Sequence, residues 1–187
     1  MSGPATEMGL THKNWRVRLA WAKCTDWGVP SFGQAEMGLQ DEHHWVRLAW
    51  AERMDYKPTP EQIERGLTDK DVGIRAAWAR RLDYTPTPEQ IERGLTDKFG
   101  WVREAWAGRP DYAPTQKQIE RGLIDPDEQV RLAWAKRMDY MPTSEQIERG
   151  LTDSSEEVRR AWQNRLKLMV QELQDDLLDL DQMGVQR

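Results

Sequence analysis

The stretch Gln62-Ile63-Glu64-Arg65-Gly66-Leu67 returns unchanged at 90–95, 118–123 and 146–151, each copy 28 residues after the last. A fixed period of this size marks a stacked repeat protein, in which one unit cannot bury its own apolar face and its neighbours do so. Working outward, six units align on a Gly-Leu pair at Gly9, Gly38, Gly66, Gly94, Gly122 and Gly150. The first interval is 29 because Val29 is inserted beside Pro30. The units lie near 9–26, 27–54, 55–82, 83–110, 111–138 and 139–165, so residues 1–165 read as one array and 166–187 as an acidic C-terminal segment. A solenoid presents a long surface rather than a central pocket, and its default work is holding something.

Within 55–82, Asp55-Tyr56-Lys57-Pro58 reads as a turn. Thr59 then stands at an N-cap, Pro60 at the first helical position and Gln62 three residues after the cap, which is a capping-box pattern. The spacing predicts a short helix A that buries Ile63 and Leu67. Gly66 either lets a neighbouring helix approach closely or ends helix A in a left-handed conformation. Asp69 is read as the cap of helix B, and Pro126 and Glu128 after Asp125 support that reading in unit five. Helix B then carries the stripe Ile74/Ala77/Trp78. The same columns hold Val17/Ala20/Trp21, Val46/Ala49/Trp50, Val102/Ala105/Trp106, Val130/Ala133/Trp134 and Val158/Ala161/Trp162. The indoles are expected to form a row along the core.

The run Leu-Thr-Asp-Lys-Asp-Val-Gly-Ile-Arg-Ala-Ala-Trp-Ala-Arg-Arg at 67–81 resembles the second-helix motif of HEAT-like repeats, with an Asp six residues before an Arg that follows Val or Ile. Joined to Thr-Pro-Glu-Gln-Ile-Glu-Arg-Gly-Leu at 59–67, it looks still more like the leucine-rich repeat variant. The resemblance covers about residues 9–165. The expected fold is all-α: a right-handed α-solenoid of about six short two-helix repeats, closed by a long C-terminal capping helix. It implies no particular activity, since such folds serve many roles. The chain departs from these families in its period and in placing tryptophan where a smaller apolar residue is usual.

Composition narrows the classes. Hydrophobic residues make up 38% and charged residues 32%, which suits a thin two-layer stack, and ten tryptophans are too many for a disordered chain. The net charge is −5; Lys167 and Arg187 against five acids give the tail −3 and leave the array −2. Bulk charge therefore does not attract nucleic acid. Cys24 is the only cysteine, so no intrachain disulfide forms, as fits a reducing interior. Met1–Leu10 lacks a basic segment followed by an apolar one, and no apolar run approaches membrane-spanning length, so a cytoplasmic protein is expected. No cofactor, metal or catalytic residue is expected. The glycines recur by unit instead of forming a phosphate loop, and Cys24 has no histidine in a nucleophile motif. Adjacent His43 and His44 do not share a helix face and lack further ligands at metal spacing.

Two sets of positions point to function. One Arg column runs through Arg18, Arg47, Arg75, Arg103, Arg131 and Arg159, with Asp41, Asp69, Asp97, Asp125 and Asp153 recurring beside it. Each Arg is expected to pair with the Asp of its own or an adjacent unit; the rival reading is a phosphate-binding track. A second column, Arg53, Arg81, Arg109, Arg137 and Arg165, matched by Asp55, Asp83, Asp111 and Asp139, reads as a solvated or paired face. By contrast, the four-residue windows Lys13–Arg16, Glu42–Trp45, Lys70–Gly73, Lys98–Trp101, Pro126–Gln129 and Ser154–Glu157 vary inside a constant frame. Such a window is expected to be exposed at the first turn of helix B. Units one, two and four place Trp15, Trp45, Phe99 and Trp101 there, with His43 and His44 alongside. Exposed aromatics on one edge point to a binding patch; alternatively they fold down and thicken the core.

The expected function is a non-catalytic protein-interaction scaffold that binds a macromolecular partner along one rim through Trp15, His43, His44, Trp45, Phe99 and Trp101. Its alternatives are nucleic-acid binding through the Arg column and an acidic inhibitor that occludes a basic site on an enzyme. In the tail, Leu166, Val170, Leu173, Leu177 and Leu180 step by 4, 3, 4, 3, the spacing of a coiled-coil seam. It is read as a cap on the last unit or as a homodimerisation helix. Asp175, Asp176, Asp179 and Asp181 sit where a helix C-terminus disfavours negative charge.

Overall fold

The computed structural model describes residues 9–26 and 28–184, with side chains as far as Asp175. The side chains of Leu177 and Leu180 in the tail seam, and of Asp176, Asp179 and Asp181, lie outside the described residues. Eleven helices lie wholly within them, and they contain no strand. Repeated packing of short helix pairs along the chain makes the fold an all-α solenoid. The chain forms two compact units, Met1–Asp111 and Tyr112–Arg187.

In the first unit the B helices are α1 (Trp15–Lys23), α3 (His44–Ala51), α5 (Val72–Arg80) and α7 (Gly100–Ala107), packed side by side in chain order. The A helices α2 (Phe32–Leu39), α4 (Pro60–Leu67) and α6 (Pro88–Leu95) form the second layer, each against the B helix that follows it. In the second unit, α8 (Gln116–Leu123) packs on α9 (Glu128–Lys136), and α10 (Ser144–Leu151) packs on α11 (Glu156–Gly184). There α9 lies against α11 and α8 beside α10.

Each A helix starts where its capping box places it. Thr87 Oγ1 accepts the Gln90 N–H at 3.3 Å while Gln90 Oε1 accepts the Thr87 N–H at 3.1 Å. Ser31/Gln34, Thr59/Gln62, Thr115/Gln118 and Thr143/Gln146 repeat the device. Gly28 is the only described residue with positive φ, so the repeat glycines do not end their helices in a left-handed turn. They admit the indole of their own unit instead. A Cβ on Gly94 would lie 2.0 Å from Trp106 Nε1, and one on Gly66 would lie 2.1 Å from Trp78 Nε1. Trp50, Trp78, Trp106, Trp134 and Trp162 are consequently 0–1% exposed. At roughly 150–250 Å² of burial, each indole contributes about 4–6 kcal/mol before side-chain entropy is subtracted.

Three expectations about the helices are corrected. Asp69 is not the cap of α5; that is Asp71, and the B-helix caps Asn14, His43, Phe99 and Asp127 likewise stand two residues beyond the expected column. Asp69 Oδ1 instead accepts the Asp71 N–H at 2.8 Å, a local turn that delays the helix and leaves the carboxylate for other use. The apolar stripe is incomplete in α1, where Val17 and Ala20 are exposed and Trp21 is half-buried. No B helix precedes α1 among the described residues. Ala77, Ala133 and Ala161 are also half-buried, whereas the alanines after each tryptophan (Ala22, Ala51, Ala79, Ala107 and Ala135) are sealed.

The last helix runs on because Lys167 stands where the other units place Asp55, Asp83, Asp111 and Asp139, and good helix formers surround it. It buries Val158 and Trp162, yet every side chain from Val170 to Asp175 is exposed.

Candidate functional site

The first Arg column is a ladder of forward clamps. Arg47 Nε and Nη2 donate to the two Asp69 oxygens at 2.8 and 3.0 Å, and Nη1 donates to the Asp41 carbonyl at 2.8 Å. Arg18–Asp41, Arg75–Asp97 and Arg131–Asp153 repeat this geometry. Each of these Args thus grips the Asp of the following unit. Arg18, Arg47 and Arg75 are buried, and the clamp raises the pKa of all four guanidinium groups. In turn, hydrogen bonding from Arg131 holds the Asp153 carboxyl below its ordinary value. Arg103 donates to the Asp97 carbonyl at 2.8 Å, Arg159 to the Asp153 carbonyl, and the Asp125 carboxylate accepts the Asp127 N–H at 2.9 Å. In Arg18, Arg47, Arg75 and Arg131 the donor edge that would meet a phosphate is already filled by carboxylate.

The second Arg column is not a solvated face. Arg53, Arg81, Arg109, Arg137 and Arg165 are all buried. Arg109 Nη1 donates to the Ala79 and Arg81 carbonyls at 2.7 and 2.5 Å, closing the C-terminus of α5, and its other edge binds Asp111. Its guanidinium lies 4.8 Å from the Tyr84 ring and 5.2 Å from Trp106. Arg53, Arg81 and Arg109 tie their units to the carbonyl end of the previous B helix, and Arg137 and Arg165 donate to the Tyr112 and Tyr140 carbonyls. Arg-x-Asp beside a tyrosine was the available signal, but its partners are backbone atoms that no side-chain pattern marks.

The variable windows fall at the B-helix caps and first turns. Units one and two bring their rings together: Trp15 stacks on His43 at 3.8 Å with planes 8° apart, His43 on His44 at 5.0 Å, and His44 meets Trp45 at 5.0 Å. Arg16 lies over Trp15 at 4.8 Å, and His43 Nδ1 accepts the Trp45 N–H at 3.3 Å. Trp15, His43 and His44 are half-buried in this stack, while Trp45 remains 49% exposed. Phe99 is 43% exposed and flanked by Lys98 and Arg75 at 5.0 and 5.7 Å from its ring.

Trp101 stands apart, 65% exposed. It walls a groove of about 410 Å³ with Leu48, Met54, Gly73, Ala76 and Ala77. The window column explains the opening. It reads Arg16, Trp45, Gly73, Trp101, Gln129, Glu157, so unit three offers no side chain between two tryptophan-bearing units. Sequence reasoning weighed the aromatics and passed over the glycine. Among the described residues no group of three His, Cys, Asp or Glu side chains is placed to hold a metal ion. None of their helices is long and apolar enough to cross a membrane.

No family model matches the chain, and no curated protein matches it. Among solved structures it is similar to one described as "a leucine-rich repeat variant with a novel repetitive protein structural motif". That likeness has 23% sequence identity and a TM-score of 0.47, and covers 87% of this chain and 72% of the other.

Proposed function

We propose that the protein is a non-catalytic interaction scaffold that grips a partner protein along the starts of its B helices. Trp15, His43, His44, Trp45, Phe99 and Trp101 are the contact residues of this reading. One observation carries it: Trp101 is 65% exposed beside an apolar groove floored by glycine and alanine. Large exposed indoles carry a disproportionate share of interface energy, and the Trp15–His43–His44–Trp45 stack supplies ring surface already ordered before binding. The Arg-column alternative draws no such support, because buried carboxylate clamps occupy the guanidinium groups of Arg18, Arg47 and Arg75.

The test is affinity capture from the native source with wild-type protein and with the double variant Trp45→Ala, Trp101→Ala. Loss of a central aromatic anchor costs about 2 kcal/mol or more, so the captured partner is expected to weaken by well over tenfold while the helical circular dichroism is unchanged. A folded double variant that keeps full binding removes the assignment.

A further inference from the structure

In the second compact unit, the outer face of the last repeat is open among the described residues. Ile63, Ile91 and Ile119 are 3–7% exposed, and Leu39, Leu67, Leu95 and Leu123 are 5–6% exposed. Their counterparts in α10, Ile147 and Leu151, are half-exposed. Arg159 is in a matching state. Its Nη1 donates to the Asp153 and Ser154 carbonyls at 2.5 and 3.0 Å, just as Arg131 Nη1 donates to those of Asp125 and Pro126 at 2.8 and 3.3 Å. The guanidinium is therefore oriented as in the other clamps. Yet its Nε and Nη2, the edge that holds a carboxylate in Arg18, Arg47, Arg75 and Arg131, have no partner among the described residues. The side chains from Val170 to Asp175 are all exposed.

We propose that this face docks a helical repeat of another protein, one that presents an aspartate in the turn before a helix. The chemistry of the fit is displayed by Asp41, Asp69, Asp97 and Asp153. In each, Oδ1 takes the N–H two residues on, at 2.8–2.9 Å, and the carboxylate receives a two-pronged guanidinium. Ile147 and Leu151 supply the apolar half of the contact, against the incoming repeat's first helix. A second copy of this chain does not fit the clamp. Its leading unit carries His12 in the aspartate column, and His12 Nδ1 accepts the Asn14 N–H at 3.0 Å. The remaining ring nitrogen is then an N–H, a donor offered to a donor. This inference is independent of the aromatic site.

Its test follows the Arg159 Nε–H signal by NMR in the full chain, assigned by its loss in Arg159→Gln. The probe is the unlabelled full chain carrying His12→Asp, so that its leading unit presents the aspartate, together with Arg159→Gln to stop it from associating with itself; it is compared with the same protein carrying His12→Asn. The Asp form is expected to shift the signal of the wild-type chain saturably, and the Asn form to bind about tenfold or more weaker, as loss of a charge-assisted pair requires. Arg159→Gln in the observed chain should weaken the Asp form to the same degree, read on the backbone amides of Ile147 and Leu151. No shift at ~1 mM of the Asp form, where even a millimolar affinity registers, overturns the proposal; so does equal binding of the two forms. Self-association of the full chain in sedimentation that Arg159→Gln abolishes would assign the face to a second copy, and equally overturns it.

Discussion

Gly94 and Trp106 show how one missing methyl group sets the distance between the two layers. A Cβ at Gly94 would fall inside the indole, which is sealed in a close-packed core. Gly94→Ala is accordingly expected to destabilise the protein by about 3 kcal/mol, in line with overpacked cores, as read by urea denaturation. An unchanged midpoint would show the layers to be looser than described. The sequence left the role of this column open, because a left-handed helix end and a close approach both require glycine. Only the position of the indole separates them. Tyrosine carries a second residue-scale consequence. Tyr84 donates to the Trp78 carbonyl at 2.9 Å, and burial pushes its hydroxyl up to about 12, as it does for Tyr56. The folded state thus keeps these protons after the unfolded chain has lost them. Their contribution is complete below about pH 10 and is lost as pH rises toward 12. Replacing both by phenylalanine should flatten the alkaline limb of a stability–pH curve; an unaltered limb would place its origin elsewhere.

At the scale of the element, the A helices were legible residue by residue. Thr, Pro and Gln at fixed offsets have one common reading, and the hydrogen bonds follow it. The loop before each B helix was not. Asp69 has the chemistry of a cap, and sequence offers no way to tell a carboxylate that caps its own helix from one that folds its loop and serves the preceding unit. The distinction lies in a contact spanning 22 residues, which depends on the stacking offset. The energetic outcome differs greatly. Losing a cap costs about 1 kcal/mol, whereas leaving a buried guanidinium without its counter-charge costs about 3–5 kcal/mol. Asp97→Asn should therefore destabilise far more than Thr87→Ala in the neighbouring capping box, measured by the same denaturation. The ladder also sets an acid limit. Burial opposes ionisation of Asp97, but hydrogen bonds from Arg75 and the Phe99 N–H outweigh it and hold the carboxyl below its ordinary value. That stabilisation is present above about pH 4 and is lost as pH falls through the lowered folded value. The Asn variant should lose part of this acid dependence.

For the whole molecule, repetition made the architecture plain and obscured the candidate site. Columns shared by every unit report what stacking needs; only departures from them can report what one unit does. The aromatic departures stood out in the sequence. Gly73, which lines the groove, looked like an ordinary glycine, since a gap between two side chains has no signature of its own. Its openness can be tested with the protein's own alternative, because Gln129 occupies the same column in unit five. A Cβ at Gly73 meets only Asp71 Oδ1, at 3.2 Å, and α5 gains helix propensity. Gly73→Gln should hold stability within about 1 kcal/mol while it obstructs the groove and weakens partner capture. Stable protein with unimpaired capture would move the contact away from α5.

Both the core row and the exposed rim are carried by tryptophan, so one label reads them together. With 5-fluorotryptophan incorporated and resonances assigned by single Trp→Phe variants, a soluble paramagnet should leave Trp50, Trp78, Trp106, Trp134 and Trp162 sharp. It should broaden Trp45 and, most strongly, Trp101. Broadening of Trp78 or Trp106, or a protected Trp101, would contradict the account.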